Sequence, residues 1–112
     1  MIRVRWPAKA LEDRRGDSPV LWVDRTAAYA PSPDVRFTES EDMGTILDLR
    51  GERYYGLGGV GARIWRLLEG GETLPSVVDR LAEEYDAPRE RLDADAEAFV
   101  ADMVRRGFMV KR

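Results

Sequence analysis

One hundred and twelve residues, 44% hydrophobic and 35% charged, make one globular domain with room for a modest core and leave little for a second. The chain has no run of 18 apolar residues, and its start, MIRVRWPAKALEDRR, holds no apolar signal-like core, so neither a membrane span nor a secretory signal is expected, and a cytoplasmic location is. With Cys and His both absent, disulfides, thiol chemistry and the commonest acid–base group and metal ligand are excluded; no metal and no other cofactor is expected.

Eighteen Lys and Arg against 21 Asp and Glu give a net charge of −3. Residues 1–36 carry seven basic and five acidic side chains and the remainder 11 and 16, so the body is acidic. Nucleic-acid binding needs clustered positive charge to displace counterions, and no nucleic-acid partner is expected.

In chain order, residues 2–6 (IRVRW) alternate like a short strand and 20–23 (VLWV) form a second β-prone run; the two are predicted to pair as a hairpin leaning on the body through Trp6 and Trp22. Residues 26–34 (TAAYAPSPD) hold two prolines and read as a linker. The expected division is a 1–34 extension and a 35–112 domain.

Val35 and Phe37 alternate with polar neighbours before the acidic turn ESEDMG. TILDLR (45–50) places Leu47 and Leu49 on one face, a turn with Gly51 follows, and RYYGL (53–57) returns with Tyr55 and Leu57 inward. This predicts a three-stranded antiparallel meander. Helices are predicted next. In 60–69, Val60, Ile64, Leu67 and Leu68 form one stripe closed by Gly70-Gly71. Thr73 N-caps a second helix, with Pro75 in its first turn and Leu74, Val77, Val78, Leu81, Ala82 and Tyr85 at helical period. A third, 89–106, carries Leu92, Ala96, Phe99, Val100 and Met103 and ends at Gly107. The fold class is α+β, three strands followed by three helices with a β-prone N-terminal extension.

Paired carboxylates (Glu83-Glu84, Asp93 with Asp95) are expected by chance among 21 acidic residues and read as a solvated face. The run GLGGVGARIW sits between strand and helix as a phosphate loop does, but lacks the Gly-Lys-Ser/Thr ending and a βαβ setting, so nucleotide binding is not expected.

The stretch LDLRGERYYGLGGVGARIWRLLEGG, followed by TLPSVVDRLAEEYDAPRERLDADAEAFVADMVRRGF, resembles the PqqD family of winged-helix-like RiPP recognition elements over about residues 35–110. The most specific part joins the third meander strand to the first helix. Family members read Tyr-x-Leu-Asn and then a Gly-Ala-x-Ile-Trp-like run; this chain has Tyr55, Gly56, Leu57, Gly58 and then Gly61, Ala62, Arg63, Ile64, Trp65. Gly58 in place of Asn puts the local cap in question, not the fold.

The resemblance implies binding without catalysis. A precursor leader peptide is expected to add as a strand along Arg53, Tyr54, Tyr55, Gly56 and Leu57, covered on one side by the third helix; backbone hydrogen bonds supply affinity and adjacent pockets select side chains. Gly56 either admits the peptide backbone or merely breaks the strand, and Tyr54 and Tyr55 point to opposite faces with Tyr55 in the core. On the third helix, Val100, Ala101 and Val104 extend the apolar stripe on one shoulder, where Glu97 and Asp93 also lie, while Asp95 and Asp102 bound the other. That extended shoulder is expected to floor a groove for apolar leader side chains and a basic one, unless Val104 packs on Phe108 and Val110 and the carboxylates only solvate the surface. Implied partners are a leader peptidase and macrolactam synthetase, as for lasso peptides, or a radical-SAM maturation enzyme, as for pyrroloquinoline quinone. The other classes left open are a winged-helix DNA-binding regulator and an enzyme scaffold that binds no peptide. The extension is expected on the far edge of the sheet, the alternative being occupation of the leader site itself.

Overall fold

The computed structural model describes residues 4–6, 23–41 and 43–112. Its elements in chain order are β1 (Val4–Arg5), β2 (Tyr29–Pro31), β3 (Val35–Ser40), β4 (Met43–Asp48), β5 (Arg53–Leu57), α1 (Gly59–Glu69), α2 (Leu74–Glu84), β6 (Tyr85–Asp86), α3 (Arg89–Arg105) and β7 (Met109–Lys111).

The meander forms as expected, in the order β3-β4-β5, all antiparallel. Pairing Phe37 with Ile46 and Ile46 with Tyr55 sets its inner row, and Arg36, Leu47 and Tyr54 form a row on the outer face. The face shared by Leu47 and Leu49 is therefore the outer one: Ile46 is fully buried, Leu47 half-buried and Leu49 exposed. Gly44 is needed on the inner face, where a Cβ would stand 2.6 Å from the Phe37 ring. That ring stacks on Trp65 of α1 at 5.2 Å. In the β4–β5 turn the left-handed residue is Glu52 (φ 52°) and not Gly51.

The helices end where the glycines predict. At both α1 and α3 the chain closes with paired backbone bonds around a positive-φ glycine. Gly71 (φ 98°) donates to the Leu68 carbonyl and Glu72 to Leu67; Gly107 (φ 80°) donates to Val104 and Phe108 to Met103. Only glycine takes these backbone angles without steric cost. The apolar stripes of the three helices meet in one core, in which Ile64, Trp65, Leu68, Leu74, Val77, Leu81, Leu92 and Met103 are all but fully enclosed. Each such side chain contributes on the order of 1.5–3 kcal/mol by burial.

The N-terminal region departs from expectation. The stretch read as a linker contains β2, which pairs antiparallel with the C-terminal strand β7, and Ser32 N–H donates to the Phe108 carbonyl at 2.9 Å. Tyr29 is buried, and so is Val23. Pro31 is accommodated at the end of an edge strand, where no ladder donor is required. Val4–Arg5 pairs in parallel with β6, and Trp6 packs edge-on against Tyr85 at 5.0 Å. Most of the second half of the expected hairpin, 20–22, lies outside the described residues. Neither β1 nor β2 extends the three-stranded sheet at its far edge.

Candidate functional site

β5 is the last strand of its sheet: it pairs with β4 on one side and, among the described residues, with no strand on the other. An unpaired margin leaves backbone donors and acceptors open to another chain. Within β5 the side chains alternate as anticipated. Tyr54 is 76% exposed on the outer face, Tyr55 is half-buried against the core and Leu57 is buried. Arg53 and Gly56 are exposed, and a Cβ at Gly56 would meet nothing within 4 Å.

The helix beside this margin is α3. Tyr55 stands against its C-terminal end: the hydroxyl lies 3.5 Å from Asp102, the Arg106 guanidinium sits over the ring at 4.5 Å, and Phe108 packs edge-on at 5.5 Å. Further along, Leu57 and Phe99 converge on Gly61, whose missing Cβ would meet them at 3.5 and 3.3 Å. β5 thus runs along α3 from its C-terminal end toward its middle. At the mouth lies a cleft of about 260 Å³ lined by Asp48, Arg53, Tyr54, Tyr55, Arg106 and Phe108.

The electrostatics of the cleft are set by two carboxylates already committed to arginines. Asp48, 9% exposed, accepts from the Arg50 backbone N–H at 3.1 Å and faces Arg50 Nε at 3.7 Å. Asp102 accepts from Arg105 and, at 3.1 Å through both oxygens, from Arg106. It therefore holds Arg106 over Tyr55.

The structure divides the residues expected from the sequence. Arg53, Tyr54, Tyr55, Gly56 and Leu57 share the open margin. The α3 set lies on the opposite flank of the helix from the cleft: Asp93 and Glu97 both accept from Arg25, from the segment before β2, so the cation they attract belongs to this chain. Val100 is fully buried, and Ala101 and Val104 are half-buried against the core. The flank facing β5 carries Asp102 and Arg106, the side that carboxylates were expected to bound. Asp95 on this flank accepts from Trp6 Nε1 at 2.7 Å. Sequence reasoning missed Asp48, Asp102, Arg106 and Phe108; the one signal available was the i,i+4 pairing of Asp102 with Arg106.

No group of three or more metal-ligating side chains occurs among the described residues, and no helix there is long and apolar enough to cross a membrane.

The family described as coenzyme PQQ synthesis protein D (PqqD) matches residues 44–109, which includes β5, all three helices and the start of β7. A solved structure described as TbiB1 in complex with the TbiA(beta) leader peptide is 30% identical, with a TM-score of 0.68, over 71% of this chain and 93% of the other. A second, described as lasso peptide synthetase B1 complexed with the leader peptide, is 24% identical, with a TM-score of 0.71, over 75% of this chain and 99% of the other, and shares the fold. Comparison with curated proteins finds no match. The family match spans more than half of the sequence and contains the strand-to-helix join on which the resemblance rested, so this chain belongs to the PqqD family.

Proposed function

We propose that this protein captures the leader segment of a ribosomally made precursor peptide by adding it as a strand to β5, and hands the attached core to modifying enzymes without catalysing a reaction itself. The observation that carries this reading is the β5 margin, unpaired among the described residues, lying alongside α3 with a cleft at its mouth. Such an edge supplies sequence-independent backbone hydrogen bonds, and the cleft supplies selection. The TbiB1 and lasso synthetase B1 structures, both leader-peptide complexes by description, support it. They favour lasso peptide biosynthesis, with a leader peptidase and macrolactam synthetase as partners, over the radical-SAM route, and the setting is the cytoplasm. The peptide-contacting set is Arg53, Tyr54, Tyr55, Gly56 and Leu57 with Arg106 and Phe108 as the facing wall, Asp102 positioning Arg106. Asp93 and Glu97 instead anchor the N-terminal segment.

Fluorescence anisotropy with labelled leader peptides, the TbiA(beta) leader and leader-like segments from short reading frames neighbouring this gene, tests the reading. Saturable binding that survives moderate salt is expected. An unchanged anisotropy favours the scaffold, and salt-sensitive binding of genomic DNA in its place favours a DNA-binding regulator.

A further inference from the structure

We infer that the cleft between β5 and the end of α3 selects an acidic side chain of the incoming leader, with Arg53 and Arg106 as the residues that specify it. This rests on the leader-binding reading above and names the chemistry that the site prefers.

Two guanidinium groups, Arg53 and Arg106, and one carboxylate, Asp48, line the cleft. Asp48 faces Arg50, which it shares with Asp34, and Asp102 serves two arginines at once, Arg105 and Arg106. The Arg53 side chain, opposite Asp48 in the β4–β5 ladder, makes no hydrogen bond or ion pair among the described residues. In and around the cleft Arg50, Arg53, Arg105 and Arg106 thus stand against Asp34, Asp48 and Asp102, an excess of one positive charge in a chain whose net charge is −3. Side chains of an added strand alternate between faces, so every second one enters on the side of Arg53 and Tyr55. A carboxylate arriving there reaches the unpaired fork of Arg53 and the exposed edge of Arg106, two donors suited to bidentate pairing. The rings of Tyr55 and Phe108 form the apolar walls and reduce solvent around the pair, strengthening it. A lysine or arginine at the same position would meet two like charges. The acidic pair that could have welcomed one, Asp93 and Glu97, is on the other flank and is already bound by Arg25.

The test uses the tightest-binding of those leader peptides as the parent, synthetic and labelled, with each Asp or Glu replaced in turn by Asn or Gln. These are titrated into the wild-type chain and the Arg53→Gln, Arg53→Lys and Arg106→Gln variants, with circular dichroism as a check on folding. One leader substitution is expected to weaken binding by about tenfold, the scale of a charge-assisted hydrogen bond. Arg53→Gln should produce a similar loss, Arg53→Lys a smaller one, and combining Arg53→Gln with the neutralised leader should add little further. Leader substitutions that all stay within about twofold of the parent overturn the inference while leaving leader capture intact, and so does a docked leader segment with no acidic residue. If the wild-type chain does not bind the parent leader, the leader-binding reading falls and the inference falls with it.

Discussion

The register of β5 decides which of two adjacent tyrosines belongs to the fold. A slip of one residue would exchange Tyr54 and Tyr55 between faces. Replacing Tyr54, 76% exposed, by Ala removes little packing and is expected to cost less than about 0.5 kcal/mol. Tyr55→Ala removes an edge-on ring pair with Phe108 at 5.5 Å, worth about 0.5–1.5 kcal/mol, and the Arg106 guanidinium over the ring at 4.5 Å, worth about 0.5–1 kcal/mol at a partly exposed site. Its hydroxyl is 3.5 Å from Asp102, too long to contribute much. With the lost burial of a half-buried ring the sum is about 2–3 kcal/mol. In urea, with a slope of roughly 1.5 kcal/mol/M for a chain of this size, the midpoint should fall by about 1.3–2 M for Tyr55→Ala and by less than about 0.4 M for Tyr54→Ala. Equal shifts, or a larger one for Tyr54, would refute the register on which the site is built.

Other consequences can be measured on the same scale. Gly58 N-caps α1 in extended backbone with no side-chain bond, and a Cβ there meets nothing within 4 Å, so Gly58→Asn should stabilise the chain by about 0.5–1 kcal/mol in the same urea titration; a loss of stability contradicts the open cap. Arg25→Ala breaks two half-exposed ion pairs, to Asp93 and Glu97, and is expected to cost about 1 kcal/mol with leader affinity unchanged within twofold; a large gain in affinity would mean that the N-terminal segment competes with the leader. Asp24 is held at about 2, below the usual 3.8, chiefly by hydrogen bonds from Thr26 and then Lys111. A depressed carboxylate stabilises the fold above its unfolded pKa and loses that contribution as pH falls through the folded one. The wild-type thermal midpoint should therefore drop between about pH 4 and 2 more steeply than that of Asp24→Asn; parallel curves contradict the pairing.

How far the sequence reveals this architecture depends on whether the signal is local. The helix ends were legible because Gly71 and Gly107 must take positive φ, and the stripes because Leu92, Ala96, Phe99 and Met103 keep a 3.6 period. The meander was legible from alternation and turns. β2 and β7 were not: three residues have no period, and their pairing joins Tyr29 to Lys111 across the whole domain. The choice of flank on α3 was illegible for a related reason. Both shoulders of the helix carry carboxylates, and which one faces β5 is settled by contacts distant in sequence, Tyr55 with Asp102 and Arg106 on one side and Arg25 with Asp93 and Glu97 on the other. Projection found the core stripe, and the apolar shoulder it extended to, Val100 and Val104, is packed against the core on the flank away from the cleft.

Amide hydrogen exchange resolved by residue, with and without the leader peptide, bears most directly on strand capture. Added protection is expected within residues 53–57, together with smaller changes near Arg106 and Phe108, while β3 at the opposite edge of the sheet stays unchanged. Protection that appears along Val35–Ser40, or on the Asp93 and Glu97 flank of α3 with residues 53–57 unaffected, would contradict it.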